Sequence, residues 1–197
     1  MAVLLVLLTL ATPIAVWQLG TSDPFHFWLN ENTTVPLRVW YRGERTAVEK
    51  EHPQRIRICG TPRVVLADPS HTQFRMAMVL SGGGALDGIR IRMRTTEHDV
   101  LANGRNGITL TLDRTGTRIM DGTTLLAQTD TLRYEPSQAL RIAFEHEGME
   151  TRIAIGCSVF GPFRTGHPAT SQTIIEPLGS GGGCVRISDI VAEGVSP

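Results

Sequence analysis

Apolar residues recur at every second position over most of this chain. In QFRMAMVL (73–80), Phe74, Met76, Met78 and Leu80 alternate with polar or small neighbours. In GIRIRMR (88–94), Ile89, Ile91 and Met93 alternate with Arg90, Arg92 and Arg94, and in GITLTLD (107–113), Ile108, Leu110 and Leu112 alternate with polar residues, mostly threonine. A period of two belongs to a strand with one buried and one wetted face. The same pattern predicts strands over 37–41, 55–59, 63–67, 139–145, 151–157, 172–175 and 184–192, and no stretch beyond residue 37 carries a sustained helical stripe. Turn chemistry separates these runs: Ser81 to Gly84, Asp113 to Gly116, Asp121-Gly122 and Glu147-Gly148 put glycine where a tight turn needs positive φ. The glycine triplets at 82–84 and 181–183 read as hairpin glycines, since no helix pattern or Gly-Lys-Ser/Thr follows them to make a phosphate loop. Many short strands between such turns predict an all-β antiparallel sandwich or barrel.

The N terminus follows another rule. Ala2 to Leu19 contains no charged side chain. Eighteen helical residues span roughly 27 Å, slightly short of a hydrocarbon core of about 30 Å. Two readings stay open, a transmembrane or signal-anchor helix and a cleaved secretory signal peptide. Against cleavage, no basic residue precedes Val3 and Pro13 sits close to a cut after Ala15. For retention, Trp17, Phe25, Phe27 and Trp28 cluster just beyond the apolar run, and such rings favour the lipid headgroup level. The chain therefore divides into an anchor or signal over 1–19, an aromatic-rich interfacial linker over 20–36 and a β-sandwich domain over 37–197. Arg38, Arg42 and Arg45 lie well past the segment, where their hold on orientation fades, so the domain is expected on the extracytoplasmic side, in a periplasm or on the cell surface.

Composition narrows the functions. A chain of 197 residues with 41% hydrophobic content supports one domain with its own core. Nineteen basic against nineteen acidic residues cancel, which argues against nucleic acid as a partner. Arg90, Arg92 and Arg94 share one strand face and form the strongest local basic feature. Such a ladder suits acidic lipid headgroups, an anionic glycan or a carboxylate-rich partner, unless acids on neighbouring strands neutralise it. Of the three cysteines, Cys157 and Cys184 end and begin strands late in the chain and form the candidate disulfide of an exported protein; three buried thiols are the alternative.

Three segments carry a family resemblance. RIAFEHEGMETRIAIG (141–156) resembles the central hairpin of concanavalin A-like jelly rolls, NGITLTLDRTGTRIMDGTTLLAQ (106–128) is similar to the strands before it, and GSGGGCVRISDIVAEG (179–194) resembles the closing strand, with Asp189 at a break in alternation. The resemblance covers roughly residues 60–194 and implies an antiparallel jelly roll of the lectin, laminin G-like, glucanase or keto-disaccharide hydrolase-like kind. It does not by itself assign a function. The paired acids of the glucanases have no counterpart here; Glu145 and Glu147 come closest, beside the Gly148 turn. The six histidines are scattered and no Gly-x-Ser-x-Gly elbow is present. No cofactor is expected; a calcium site of lectin type would draw on Asp87, Asp113, Asp121 and Asp189, each of which turn formation already explains. The leading expectation is a non-catalytic accessory subunit, anchored in the bilayer and docked on other subunits of a membrane complex. The alternative is a tethered carbohydrate-binding module with a groove on its concave sheet lined by exposed aromatic rings, against which counts that beyond residue 41 the aromatic residues are Phe74, Tyr134, Phe144, Phe160 and Phe163 alone. A glycoside hydrolase-like enzyme comes third.

Overall fold

The structure, a computed structural model, describes residues 25–31, 35–42, 44–67, 73–96, 106–167, 170, 172–179 and 182–194. Fifteen strands account for most of them. The first five are β1 (Phe25–Leu29), β2 (Leu37–Arg42), β3 (Val48–His52), β4 (Arg55–Cys59) and β5 (Arg63–Ala67). Next come β6 (Phe74–Gly82), β7 (Gly88–Met93), β8 (Ile108–Asp113), β9 (Gly116–Asp121) and β10 (Thr124–Thr129). The last are β11 (Leu140–Glu147), β12 (Glu150–Ile155), β13 (Ser158–Arg164), β14 (Gln172–Leu178) and β15 (Cys184–Gly194). They form an eight-stranded sheet in the order β1-β2-β5-β14-β7-β8-β9-β10 and a seven-stranded sheet in the order β13-β12-β11-β6-β15-β4-β3, antiparallel throughout. Among the described residues there is no helix, and the expected anchor over 1–19, with Trp17, lies outside them.

The alternation explains the packing. Val39, Tyr41, Val64, Leu66, Ile89, Ile91, Leu110 and Leu112 of the eight-stranded sheet point inward at Met76, Met78, Leu80, Ile142, Phe144, Ile153 and Ile187 of the seven-stranded one, in one contiguous core. Each large side chain so buried contributes about 1.5–3 kcal/mol. The four edge strands, β1, β3, β10 and β13, lack this regularity, and none has more than one fully buried position. An edge strand covers less core, so its inward positions are not held to apolar residues.

Two sequence expectations are corrected here. Residues 25–29 belong to the sheet rather than to a linker: Phe25, Phe27 and Leu29 pair in register with Tyr41, Val39 and Leu37, and Phe25 packs on the Tyr41 ring at 5.4 Å. Trp28 faces outward from β1 beside Arg38. The sandwich therefore begins at Phe25 among the described residues. The glycine triplets, for their part, are not in hairpins. The first joins β6 to β7 and the second precedes β15, and in both cases the chain passes from one sheet to the other. A Cβ on Gly83 would lie 1.9 Å from the Tyr134 hydroxyl, which donates to the Gly82 carbonyl at 2.7 Å. One on Gly183 would lie 2.7 Å from the Gly83 carbonyl. Glycine is needed because two crossovers and a tyrosine converge at one end of the sandwich.

The disulfide also differs from expectation. Cys184 sits opposite Cys59 in the β15–β4 ladder and is bonded to it, while Cys157 is a free, exposed thiol in the β12–β13 turn. Cys157 and Cys184 cannot pair because β11 and β6 separate β12 from β15, three steps of about 4.8 Å. The bond closes a separation of 125 residues. Cys184→Ser is expected to lower unfolding free energy by about 2–5 kcal/mol in urea titrations. Alkylation of Cys157 should leave stability unchanged, and non-reducing peptide mapping should recover the 59–184 pair.

Candidate functional site

A groove runs across the outer face of the seven-stranded sheet. Its floor follows from register: Val159, Ala154, Ala143, Ala77 and Val191 lie side by side on β13, β12, β11, β6 and β15. Alanine at the three central positions removes side-chain height between taller neighbours. The resulting trough crosses four strand spacings, roughly 19 Å. Its deepest part encloses about 450 Å³ between Arg75, Ala77, Val79, Arg141, Asp189 and Glu193, and a shallower extension of about 200 Å³ continues over Ala143, Ala154 and Val159. Volumes of this order suit a small ligand or part of an oligosaccharide.

The two rims are polar. Along one, Arg152, Glu145, Arg75 and Glu193 stand in a single row of alternating charge. Arg75 Nη2 donates to Glu145 Oε1 at 2.6 Å, and Arg152 Nη1 lies 3.8 Å from Glu145 Oε2. The hydrogen bond and the charge of Glu145 raise the Arg75 pKa further. Along the other rim stand Arg141 and Asp189. Among the described residues the Arg141 guanidinium has no side-chain partner. Asp189 occupies the irregularity between Ser188 and Val191 at φ 51°, and among the described residues its carboxylate takes only the Ser188 hydroxyl at 3.4 Å. The groove thus offers donors and acceptors on both sides of a flat apolar strip. That pattern matches a sugar ring, whose C–H face is apolar and whose edges carry hydroxyls. A floor of exposed aromatic rings, which a sugar groove was expected to have, is replaced by alanine and valine.

The arginine ladder is divided by the structure. Arg90 and Arg92 project from the outer face of the eight-stranded sheet around Glu176 of β14. Arg92 Nε donates to Glu176 Oε2 at 3.0 Å, Arg63 Nε to Oε1 at 2.8 Å, and Arg90 Nη1 lies 3.7 Å from Oε2. Burial pushes the Glu176 carboxyl up, but the hydrogen bonds and charges of Arg92 and Arg63 outweigh it and hold its pKa below the usual range. Arg94 is not on that face. It follows the end of β7 at φ 55°, and its 2% exposed side chain turns inward. There Nε donates to Thr151 Oγ1 at 2.6 Å, Nη1 to His167 O at 2.9 Å, and Nη2 to Gly148 O at 2.8 Å and Glu150 O at 2.5 Å. The β11–β12 hairpin presents carbonyls that need donors, and Arg94 satisfies them from the opposite sheet.

Behind Arg94 lies a histidine whose role was not legible. His146 is fully buried between Phe74 and Phe144, at ring separations of 5.2 and 5.5 Å, and its Nδ1 lies 3.0 Å from Thr151 Oγ1. Burial, and then the charge of Arg94, lower its pKa to about 3. In EHE (145–147) the side chains alternate, so Glu145 reaches the groove rim and Glu147 the hairpin tip while His146 enters the core. Of the groove residues only Asp189 carried a local signal, its break in alternation. Arg75, Ala77, Arg141 and Ala143 come together through strand order alone.

No family profile and no curated protein matches this sequence. Solved structures do resemble the fold. Carbohydrate-binding module CBM66 from Bacillus subtilis aligns over 71% of this chain and 86% of its own at 10% identity and TM-score 0.51. A putative glycosyl hydrolase from Parabacteroides distasonis aligns over 79% and 88% at 10% identity and TM-score 0.54. The exoplasmic/lumenal domain of VIP36, in its Ca2+/Man3GlcNAc-bound form, aligns over 81% and 86% at 11% identity and TM-score 0.52. At such identities the likeness is one of fold, consistent with a concanavalin A-like sandwich.

The buried imidazole makes stability depend on pH. Unfolded, it binds a proton below about 6.5; folded, only below about 3. As pH falls through this window the unfolded state takes up the proton first, so the contribution is complete above about 6.5 and is lost toward 3, at about 1.4 kcal/mol per pH unit. His146→Gln is expected to flatten the fall in urea midpoint between pH 6.5 and 4, and a parallel fall in both proteins would contradict the assignment.

Proposed function

We propose that this domain is a non-catalytic carbohydrate-binding module that takes an oligosaccharide along the groove of its seven-stranded sheet. One observation carries the reading: an alanine-floored trough of about 450 Å³ whose rims supply guanidinium donors and carboxylate acceptors, with Arg141 uncommitted among the described residues. The fold likeness to a carbohydrate-binding module and to a mannose-containing glycan complex supports it over the expectation of a docking subunit. Glu145 is tied to Arg75 and Arg152, so it is held as a fixed acceptor rather than as the free acid, base or nucleophile that a glycosidase needs.

The module works outside the cytoplasm, tethered by residues 2–19. The Cys59–Cys184 bond supports an oxidising compartment, and the uncharged apolar run supports a membrane tether. A docking role beside other membrane subunits keeps one observation in its favour, the exposed Phe25 and Trp28 on edge strand β1. Co-purification of stoichiometric subunits from native membranes would support it.

The groove reading is tested on a glycan array followed by calorimetry. The full chain is expected to select a small set of oligosaccharides. Arg141→Ala and the trough-filling Ala143→Ile should each weaken that binding about tenfold, the order of one charged hydrogen bond, with unchanged melting temperature. Array silence, or binding indifferent to both substitutions, would sink the proposal.

A further inference from the structure

The strand glutamates of this neutral chain are concentrated on the seven-stranded sheet, while arginines stand on both. Outward positions of the eight-stranded sheet carry Arg38, Arg42, Arg63, Arg90, Arg92 and Arg118. Among the described residues the carboxylates within this field are Glu176 and, at the end of β8, Asp113, which accepts from Thr115 and Gly116 of its own turn and feels the charge of Arg118. The seven-stranded sheet, in contrast, sets Glu49, Glu51, Glu145, Glu147, Glu150 and Glu193 among its arginines. A balanced total therefore conceals one strongly basic face.

Register arranges that face in a row. Arg63 meets Glu176, Glu176 is opposite Arg90, Arg90 opposite Thr111, and Thr111 opposite Arg118. Arginines thus recur on β5, β7 and β9, every second strand, about 9.6 Å apart. Glu176 does not consume this charge. Arg63 and Arg92 each donate to it through Nε, leaving their terminal Nη donors uncommitted, and Arg118, whose charge acts on Asp113, makes no side-chain hydrogen bond or close ion pair among the described residues. One carboxylate holds three guanidiniums upright and leaves a net positive cluster with fork donors facing solvent.

We propose that this face is a second binding surface, separate from the groove, for an acidic polysaccharide whose carboxylate or sulfate groups engage the row Arg63–Arg90–Arg118 across the strands, with Arg92 completing the central cluster. Three features select a polysaccharide over a bilayer. The cations form a line rather than a scattered field, their spacing is that of alternate sugars in an extended chain, and threonines at 109 and 111 flank them with hydroxyls suited to sugar hydroxyls. Anionic sites at regular intervals on a polymer match a row; a fluid headgroup layer requires none.

The test uses the full chain with size-defined heparin fragments, polygalacturonate and neutral dextran, and flotation with phosphatidylglycerol against phosphatidylcholine vesicles. Heparin or polygalacturonate should bind with a steep salt dependence. Arg63→Gln/Arg90→Gln/Arg118→Gln should weaken that binding about tenfold, the sum of three exposed charge contacts, while the charge-matched Arg55→Gln/Arg133→Gln/Arg164→Gln should not. Urea midpoints and retention of array binding by the groove show that the first variant is folded. Equal losses in both triple variants would reduce the effect to bulk charge and overturn the proposal. So would binding of the acidic vesicles without either acidic polysaccharide, or dextran binding that depends on the same three arginines.

Discussion

Everything in this molecule depends on the mutual burial of two sheet faces. Each sheet hides every second side chain against the other, so the interior is filled by Ile, Leu, Val, Met and Phe, and polar chemistry is displaced to the two outer faces and the ends. That division explains why both proposed binding surfaces lie on outer faces and run across strands. A feature that crosses strands is assembled one residue per strand, at a spacing set by backbone hydrogen bonds. The alanine trough and the arginine row are both built this way.

The polar groups that do enter the interior tie the sheets together. Arg94 leaves the end of β7 and satisfies carbonyls of the β11–β12 hairpin and of His167, and Thr151 links it to His146. A charge placed there is tolerable because it is met by several acceptors, while the imidazole next to it stays neutral because it is buried and faces that charge. The cluster fixes the hairpin whose outward residues, Glu145 and Arg152, make one end of the groove rim. Interior order and exterior geometry are coupled at this hairpin.

Most of the strands and the sandwich class were legible because period-two alternation is a local property. The ten predicted runs are all strands, whereas five strands carried no such signal: the edges β1, β3, β10 and β13, where an edge buries too little to discipline its sequence, and β9 beside edge β10, whose one buried large apolar residue is Ile119. FHFWL reads as easily as an interfacial belt as it does as a strand. The resemblance to jelly rolls rested on the central hairpin, the strands before it and the closing strand, whose break in alternation at Asp189 is the irregularity in the β15–β6 ladder.

By itself, the sequence determined which apolar residues of the alternating runs face inward, where many of the turns fall, that an uncharged apolar run precedes the domain, and that no diagnostic catalytic motif is present. Tertiary structure alone decided which residues meet. Strand order joined Cys184 to Cys59 instead of Cys157, set Arg63, Arg90 and Arg118 in one line across the strands, sent Arg94 inward, and aligned three alanines from three strands. The physical reason is that alternation constrains only the face a side chain takes. Its neighbours across the sheet depend on where the chain crosses between layers, and that is settled by packing of the whole sandwich.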